Sequence, residues 1–584
     1  MLTAVDAGDA AALLAAVPAG RRVALVDPRF VGHVHALRLG LTDPRFAAAA
    51  VPGALTAQPE ARGALLRALH RTTAAVGAGA PVVAQHTDPA PEDRTVPGRI
   101  AVALEAEGTA VKRPELGSLT ATVPTDAGAR ATAETARDEV DDEAVRLRSA
   151  VKAHDGFFTT FAISPYSRYI ARWCARRNLT PNQVTTASLI TALIAAGSAA
   201  TGTRGGYIAA GILLLVSFVL DCTDGQLARY SLRYSTMGAW LDATFDRAKE
   251  YAYYAGLAIG AVRGGDDVWV LALGAMVLQA CRHVVDFSFN EANHDAIANT
   301  SPTAALSDKL DSVGWTVWAR RMIVLPIGER WAMIAVLTAF TTPRIVFYAL
   351  LVGCSLAACY TTAGRLLRSL TRKAGRTDRA AQALADLADS GPLAQGVAAV
   401  APGPRGAFTA PAVALLGTLV MVGAALFLPY GSWLTVAAAA VYVVLSGLAV
   451  ARPLKGALDW LVPPFFRAAE YVTILVLAAR SDVPHAVPAA FGLVSAVAYH
   501  HYDTVYRIRG GTGAPPRWLV RTIGGHEGRT ALVAVLAAVL THASGFTTAL
   551  TALAVAVALV VLVESIRFWV SSSAPAVHDE GELA

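Results

Sequence analysis

Cysteine is scarce in this chain: five among 584 residues, Cys174, Cys222, Cys281, Cys354 and Cys359. No spacing among them suits a zinc site and most fall in apolar runs, so neither a disulfide framework nor a thiolate metal centre is expected. Charge is thin as well, with 16% Asp, Glu, Lys and Arg and a formal net charge of +6. So small an excess over this length leaves no electrostatic footprint for DNA or RNA, and no nucleic-acid partner is expected. The opening, Met1 to Ala19, carries early acids and lacks a basic start followed by a long apolar run, so it does not read as a secretory signal.

Apolar residues, by contrast, make up 54% of the chain, which points to a membrane protein with soluble additions. Six spans are predicted at about 183–202, 206–228, 235–262, 267–290, 322–341 and 344–363. Lys and Arg sort between the connections. Arg168 to Arg177, Arg229, Arg233, Arg320, Arg321 and Arg365 to Arg379 share one side, and the other holds little beyond Arg204, Arg263 and Arg344. The positive-inside rule makes the crowded side cytoplasmic, with both termini there.

The chain is organised around Asp221 to Asp246, DCTDGQLARYSLRYSTMGAWLDATFD, which ends one apolar segment, turns, and enters the next. Asp221 and Asp224 share a helix face, as do Asp242 and Asp246, because residues three or four apart are helical neighbours. Carboxylates at membrane spans are costly, and four together repel unless protonated or gathered round a cation. Magnesium or manganese suits an all-oxygen ligand set and is often shared with substrate phosphates, so the pattern predicts a metal site for phosphate chemistry. Gly225 and Gly238 remove side chains where a helix or ligand must come close, Ala228 keeps the wall thin, and Arg229 offers a planar cation to a phosphate or base.

This stretch resembles the CDP-alcohol phosphatidyltransferases, whose signature is D-x-x-D-G-x-x-A-R, eight residues, then G-x-x-x-D-x-x-x-D. Asp221, Asp224, Gly225, Ala228, Arg229, Gly238, Asp242 and Asp246 occupy every fixed position. The resemblance implies two divalent ions, magnesium or manganese, bridged by Asp221, Asp224, Asp242 and Asp246, with Asp246 as the general base. It implies a nucleotide pocket of Asp221, Gly225, Ala228, Arg229 and Gly238, a CDP-alcohol donor lipid, a hydroxyl acceptor, and release of CMP among membrane lipids. Lys249, Arg282 and Arg321 are candidates to hold the acceptor's phosphate, with Arg320 and Arg330 beside them; each alone reads equally well as a helix-end topology determinant. The resemblance covers Lys152 to Arg365. Two readings of other classes are a divalent-cation transporter, which would need no Gly-x-x-Ala-Arg nucleotide pocket, and a pseudoenzyme scaffold, which the intact motif disfavours.

The fold class expected is mainly α: a polytopic helix bundle of six spans plus a degenerate second six-span copy, preceded by a small soluble α/β domain. Residues 1–147 form that domain, with strand-like runs at Arg22 to Asp27, Pro81 to Gln85 and Ile100 to Leu104. Its position resembles the fused cytidylyltransferase of inositol-phosphate-using family members, but the glycine-rich loop that enzyme needs is missing, so a degenerate or accessory role is expected. Residues 148–178 form a connector and a basic amphipathic helix at Tyr166 to Arg177 that suits a membrane surface. The catalytic domain spans 179–365, a polar linker 366–405, the second membrane domain 406–570 and a polar tail 571–584. The second domain echoes the first: Trp240-Leu-Asp-Ala-Thr-Phe-Asp-Arg-Ala-Lys-Glu-Tyr251 matches Trp460-Leu-Val-Pro-Pro-Phe-Phe-Arg-Ala-Ala-Glu-Tyr471, with Val462 and Phe466 replacing Asp242 and Asp246. Looser echoes pair Asp224-Gly225 with Ser446-Gly447, and Gly328-Glu-Arg330 with His526-Glu-Gly-Arg529. A homodimer, or an intrachain pseudo-dimer of the two copies, is the assembly expected.

Overall fold

The computed structural model describes residues 7–18, 20–41, 46–77, 95–152, 155–294, 324–371, 375–403, 405–541 and 544–571. The expected strand at Pro81 to Gln85, the guanidinium candidates Arg320 and Arg321, and the polar tail beyond Ser571 lie outside them.

The N-terminal region is a small sheet covered by helices. Strands β1 (Val23–Val26), β2 (Ala48–Val51), β3 (Ala54–Ala57) and β4 (Val111–Lys112) pair in the order β1-β3-β2-β4. The first three are antiparallel, and β4 runs parallel to β2. Helices α1 (Ala7–Ala16), α3 (Arg62–Gly77) and α4 (Val96–Ala106) supply Leu14, Leu65, Leu69, Ile100 and Leu104 to one alanine-rich core, while α2 (Val34–Leu41) packs on β2 and β3. The expected strand at Ile100 to Leu104 is therefore corrected to helix. Thr95 accepts the amide of Gly98 at 3.1 Å and Pro97 sits in the first turn, so the start signal decides a five-residue apolar run whose period is ambiguous. Helices α5 (Ala127–Asp138) and α6 (Asp142–Ser149) lead on to α7 (Ser164–Arg176), reached through a π-helical turn at Thr159–Ile163. Helix α7 buries Ser167, Ala171 and Cys174 and leaves Tyr166, Tyr169 and Trp173 exposed beside Arg168, Arg172 and Arg177, the arrangement of an interfacial helix.

Six helices follow among the described residues: α8 (Pro181–Ala200), α9 (Arg204–Ser231), α10 (Thr236–Arg263), α11 (Trp269–Asn293), α12 (Ile327–Phe340) and α13 (Pro343–Thr371). Thr180 and Gln183 form a reciprocal capping box around Pro181, which fixes where α8 begins. The segment expected as a polar linker instead continues α13 to Thr371 and then forms α14 (Asp378–Ala388) and α15 (Pro392–Val400). Ala380, Ala381, Leu384, Leu387 and Ala388 make one buried stripe on α14, a helical period hidden by the alanine-rich composition. Seven more helices follow among the described residues: α16 (Thr409–Phe427), α17 (Trp433–Val450), α18 (Val462–Ala479), α19 (Ala486–Arg509), the short α20 (Arg517–Thr522), α21 (Gly525–Val539) and α22 (Gly545–Ser571).

Eight helices among the described residues are long and apolar enough to cross a membrane. Large apolar side chains four residues apart point outward on them, as at Ile190 and Ile194, Val352 and Leu356, and Leu559 and Val563. A belt of that kind is soluble only in lipid, and the chain is a multi-pass membrane protein. Helix α10 falls short on composition because it carries Asp242, Asp246, Arg247, Lys249 and Glu250. It is shielded instead by α8, α11, α13, α19 and α22.

Candidate active site

The four aspartates come from two helices joined by a four-residue turn. Helix α9 ends where Leu232 adopts a left-handed conformation (φ 52°) and the amide of Arg233 returns to the carbonyl of Ala228 at 3.0 Å. Ser235 then caps α10 through the amide of Gly238 at 2.9 Å. This hairpin brings Asp221, Asp242 and Asp246 together, with one oxygen from each lying within 4.8 Å of the others. Asp224, 4% exposed, sits one turn further along α9. The hydroxyl of Thr185 on α8 donates to its Oδ2 at 2.5 Å.

One ammonium enters the cluster. Lys249, 1% exposed, pairs with Asp221 and reaches Oδ1 of Asp246 at 2.8 Å, with the Ser188 hydroxyl at 3.3 Å. Among the described residues Lys249 is the one cation paired with these aspartates, two of which it holds. An all-oxygen set so rich in charge fits a hard divalent cation.

The other motif residues flank the cluster. Ala228 is buried in α9, and the Arg229 guanidinium lies 3.5 Å from where a Gly225 Cβ would stand. Its Nε donates to the carbonyl of Ala150 at 2.6 Å, which ties the connector to the site. A Cβ on Gly238 would fall 2.8 Å from Oδ1 of Asn182, so only glycine lets α10 approach the start of α8 this closely. Lys249, a candidate to hold the acceptor's phosphate, lies among the aspartates, paired with Asp221 and Asp246. Arg282 is buried away from them among the described residues and donates to the carbonyl of Val324. Arg330 belongs to a third group, a buried triad in which Glu250 receives Arg247 at 2.8 Å and Arg330 at 3.3 Å. Thr185 and this triad are the parts the sequence did not announce. Arg247 and Glu250 stood within the repeated segment, but nothing in the motif pointed to Thr185.

A second acid–histidine cluster behaves differently. Asp389, at the end of α14, accepts from His500 Nε2 at 3.0 Å, His501 Nε2 at 3.2 Å and Arg529 Nη2 at 2.7 Å. Arg467 and Arg529 also share Glu470, at 3.0 and 2.5 Å. Asp389 and Glu470 are thus engaged by Arg467 and Arg529, and the neighbouring buried Glu527 accepts the amides of Gly391 and Ala394. Of the two groups whose geometry could hold a metal ion among the described residues, the trio Asp221, Asp242 and Asp246 is the all-carboxylate one.

A helical membrane domain therefore carries the four aspartates on its second and third helices. The sequence profile of the CDP-alcohol phosphatidyltransferases matches residues 178–343, and this membrane domain belongs to that family. Residues 378–584 match a family of unknown function, DUF5941. The chain is 30% identical over 140 residues to the phosphatidylinositol phosphate synthase of Streptomyces avermitilis, covering 24% of this chain and 54% of that protein. It is 31% identical over 113 residues to the archaetidylinositol phosphate synthase of Pyrococcus horikoshii, 19% of this chain and 58% of that one. The match to the bifunctional IPC transferase and DIPP synthase of Aquifex aeolicus is 33% over 132 residues, 22% and 29%. The chain therefore spans between 29% and 58% of the length of these relatives.

Proposed function

We propose that this chain transfers a substituted phosphate from a CDP-alcohol donor to a hydroxyl acceptor, releasing CMP in phospholipid biosynthesis. The observation that carries the reading is the trio Asp221, Asp242 and Asp246, gathered by the α9–α10 hairpin around Lys249, with Asp224 one turn along α9 on Thr185. These residues would hold two magnesium or manganese ions, which supply charge neutralisation at the donor's pyrophosphate when bound.

The protein's own groups do the rest. Arg229, beside the bare backbone of Gly225, binds the nucleotide with Ala228 and Asp221. Asp246 Oδ1, held by Lys249, accepts the proton of the acceptor hydroxyl as that oxygen bonds to phosphorus. The bond to the CMP oxygen breaks in the same displacement, and CMP leaves with the electron pair. Thr185 aims Asp224 by donating to its Oδ2. The Lys and Arg asymmetry of the connections supports a cytoplasmic active site. The names of the Streptomyces and Pyrococcus relatives support an inositol phosphate as acceptor, and the N-terminal region is read as an accessory domain.

The test is to supply purified chain in nanodiscs with CDP-diacylglycerol and a panel of radiolabelled acceptors. The expected result is a labelled lipid with one CMP released per lipid formed. Tracer-metal uptake into vesicles without any CMP would favour the transporter reading and overturn this one.

A further inference from the structure

The C-terminal region has no assigned role, yet its helices repeat the catalytic domain contact by contact. In the first half α8 packs on α9 and α10, α9 on α7 and α12, and α11 on α13. In the second, α16 packs on α17 and α18, α17 on α15 and α21, and α19 on α22. The buried triads repeat too. Arg247 Nη1 meets Glu250 Oε2 at 2.8 Å with Arg330 on the same carboxylate, and Arg467 Nη1 meets Glu470 Oε2 at 3.0 Å with Arg529 completing it. Even the capping of the preceding helix recurs: Glu329 accepts the amide of Phe158, and Glu527 accepts those of Gly391 and Ala394. Chance similarity among alanine-rich helices does not place the same ion triad at the same crossing.

The copy cannot do the chemistry. Val443, Ser446, Val462 and Phe466 stand where the first half has its aspartates. The Phe466 ring stacks on His526 at 4.1 Å, and Tyr442 bonds that histidine at 2.7 Å. Helix α15 covers what remains: a Cβ on Gly447 would fall 2.6 Å from Val397, whereas the nearest atoms to one on Gly225 belong to its own helix's Arg229, from 3.5 Å. The cleft is filled with side chains.

What the copy keeps is a face. Helix α18 packs on α11 and α19 on α10, the third and fourth helices of each half meeting the fourth and third of the other. That reciprocity is the pattern of a two-fold, isologous contact. One apolar core runs through both halves, including Tyr254, Leu273, Met276, Ile474 and Leu493. Polar contacts cross it: Tyr502 bonds His283 and lays its ring 4.8 Å from the Arg247 guanidinium, one residue from Asp246.

We propose that residues 378–571 are a silenced second copy of the catalytic bundle, retained as a built-in partner subunit that braces α10 through Tyr502, a positioning residue for the aspartate site. A single chain then provides both halves of the interface. The kinetic part of the test rests on the function proposed above; the structural part does not.

Two measurements on the full chain in nanodiscs decide it. In the Met276→Cys, Ser495→Cys protein, whose native side chains meet at 3.3 Å, a short thiol cross-linker is expected to join positions within one chain, and particle mass to show one chain per active particle. Tyr502→Leu is expected to lower kcat by about ten- to a hundred-fold through misplacement of α10, with donor KM and thermal midpoint little changed. Tyr502→Phe, which keeps the ring over Arg247, is expected to restore most of kcat. Cross-links between chains, two chains per active particle, or wild-type kcat in Tyr502→Leu would overturn the proposal. A chain that folds but releases no CMP would count against the proposed function, and the mass and cross-link would still decide this one.

Discussion

Replacing Thr185 by valine removes one hydroxyl and keeps the side chain's shape. That hydroxyl donates to Asp224 Oδ2 at 2.5 Å from a residue 2% exposed, and Asp224 itself is 4% exposed. A hydrogen bond to a buried charged group is worth about 1.5–3 kcal/mol, and losing a group that orients a metal ligand typically costs about 10–100-fold in metal affinity. The two figures agree, since 1.4 kcal/mol is about a factor of ten. Thr185→Val is therefore expected to raise the half-saturating Mn2+ concentration by about one to two orders of magnitude, read by titrating the ion's EPR signal without substrate. Saturating Mn2+ should then recover most of the turnover, because the ligands remain. A Mn2+ titration indistinguishable from wild type would refute the reasoning, as would a loss of turnover that excess metal does not repair.

Asp246→Asn is expected to lower kcat by about 10²–10⁴-fold while nucleotide binding, followed by displacement of a fluorescent CDP analogue, largely survives. Glu470→Gln leaves Arg467 and Arg529 short of one carboxylate in a place with no solvent exposure. It should destabilise the chain by about 3–5 kcal/mol, seen as earlier proteolysis across a denaturant series, and Glu250→Gln should do the same in the first half. In the N-terminal region, burial and the Arg146 guanidinium push the His35 ring down to about 4. Asp142 pulls the other way, and His33 and Arg38 add to the depression. A base held neutral in the fold favours unfolding once protonated, so that region's stability should be complete above the unfolded value near 6.5 and lost as pH falls toward 4. Thermal melts of the full chain at stepped pH check this, and His35→Phe should flatten the dependence.

The meeting of Asp221, Asp242 and Asp246 was legible because spacing carries geometry: three- and four-residue steps on two helices, joined by a turn, leave few other arrangements. Span limits were legible for the same reason, with Thr180 and Pro181 marking one start and the apolar runs setting lengths. Ile100 to Leu104 failed because five apolar residues do not distinguish a buried strand from a helix face. Helix α14 failed because its stripe is built from alanines, which weigh little in any hydrophobic pattern. Thr185 was not legible at all. It lies in a run of threonines on α8, and only the crossing of α8 over α9 selects which one faces Asp224. Asp389 is the same kind of case, a lone acid whose four cationic or histidine partners come from helices 78 to 140 residues away.

The central claim is that the carboxylate quartet works by holding divalent metal for CDP-alcohol phosphotransfer. The direct measurement is CMP release from CDP-diacylglycerol and an inositol phosphate by the full chain in nanodiscs, before chelation, in excess EDTA, and after magnesium or manganese is added back. The account predicts that CMP release stops in EDTA and returns with either ion. CMP release that continues unchanged in excess EDTA would contradict it.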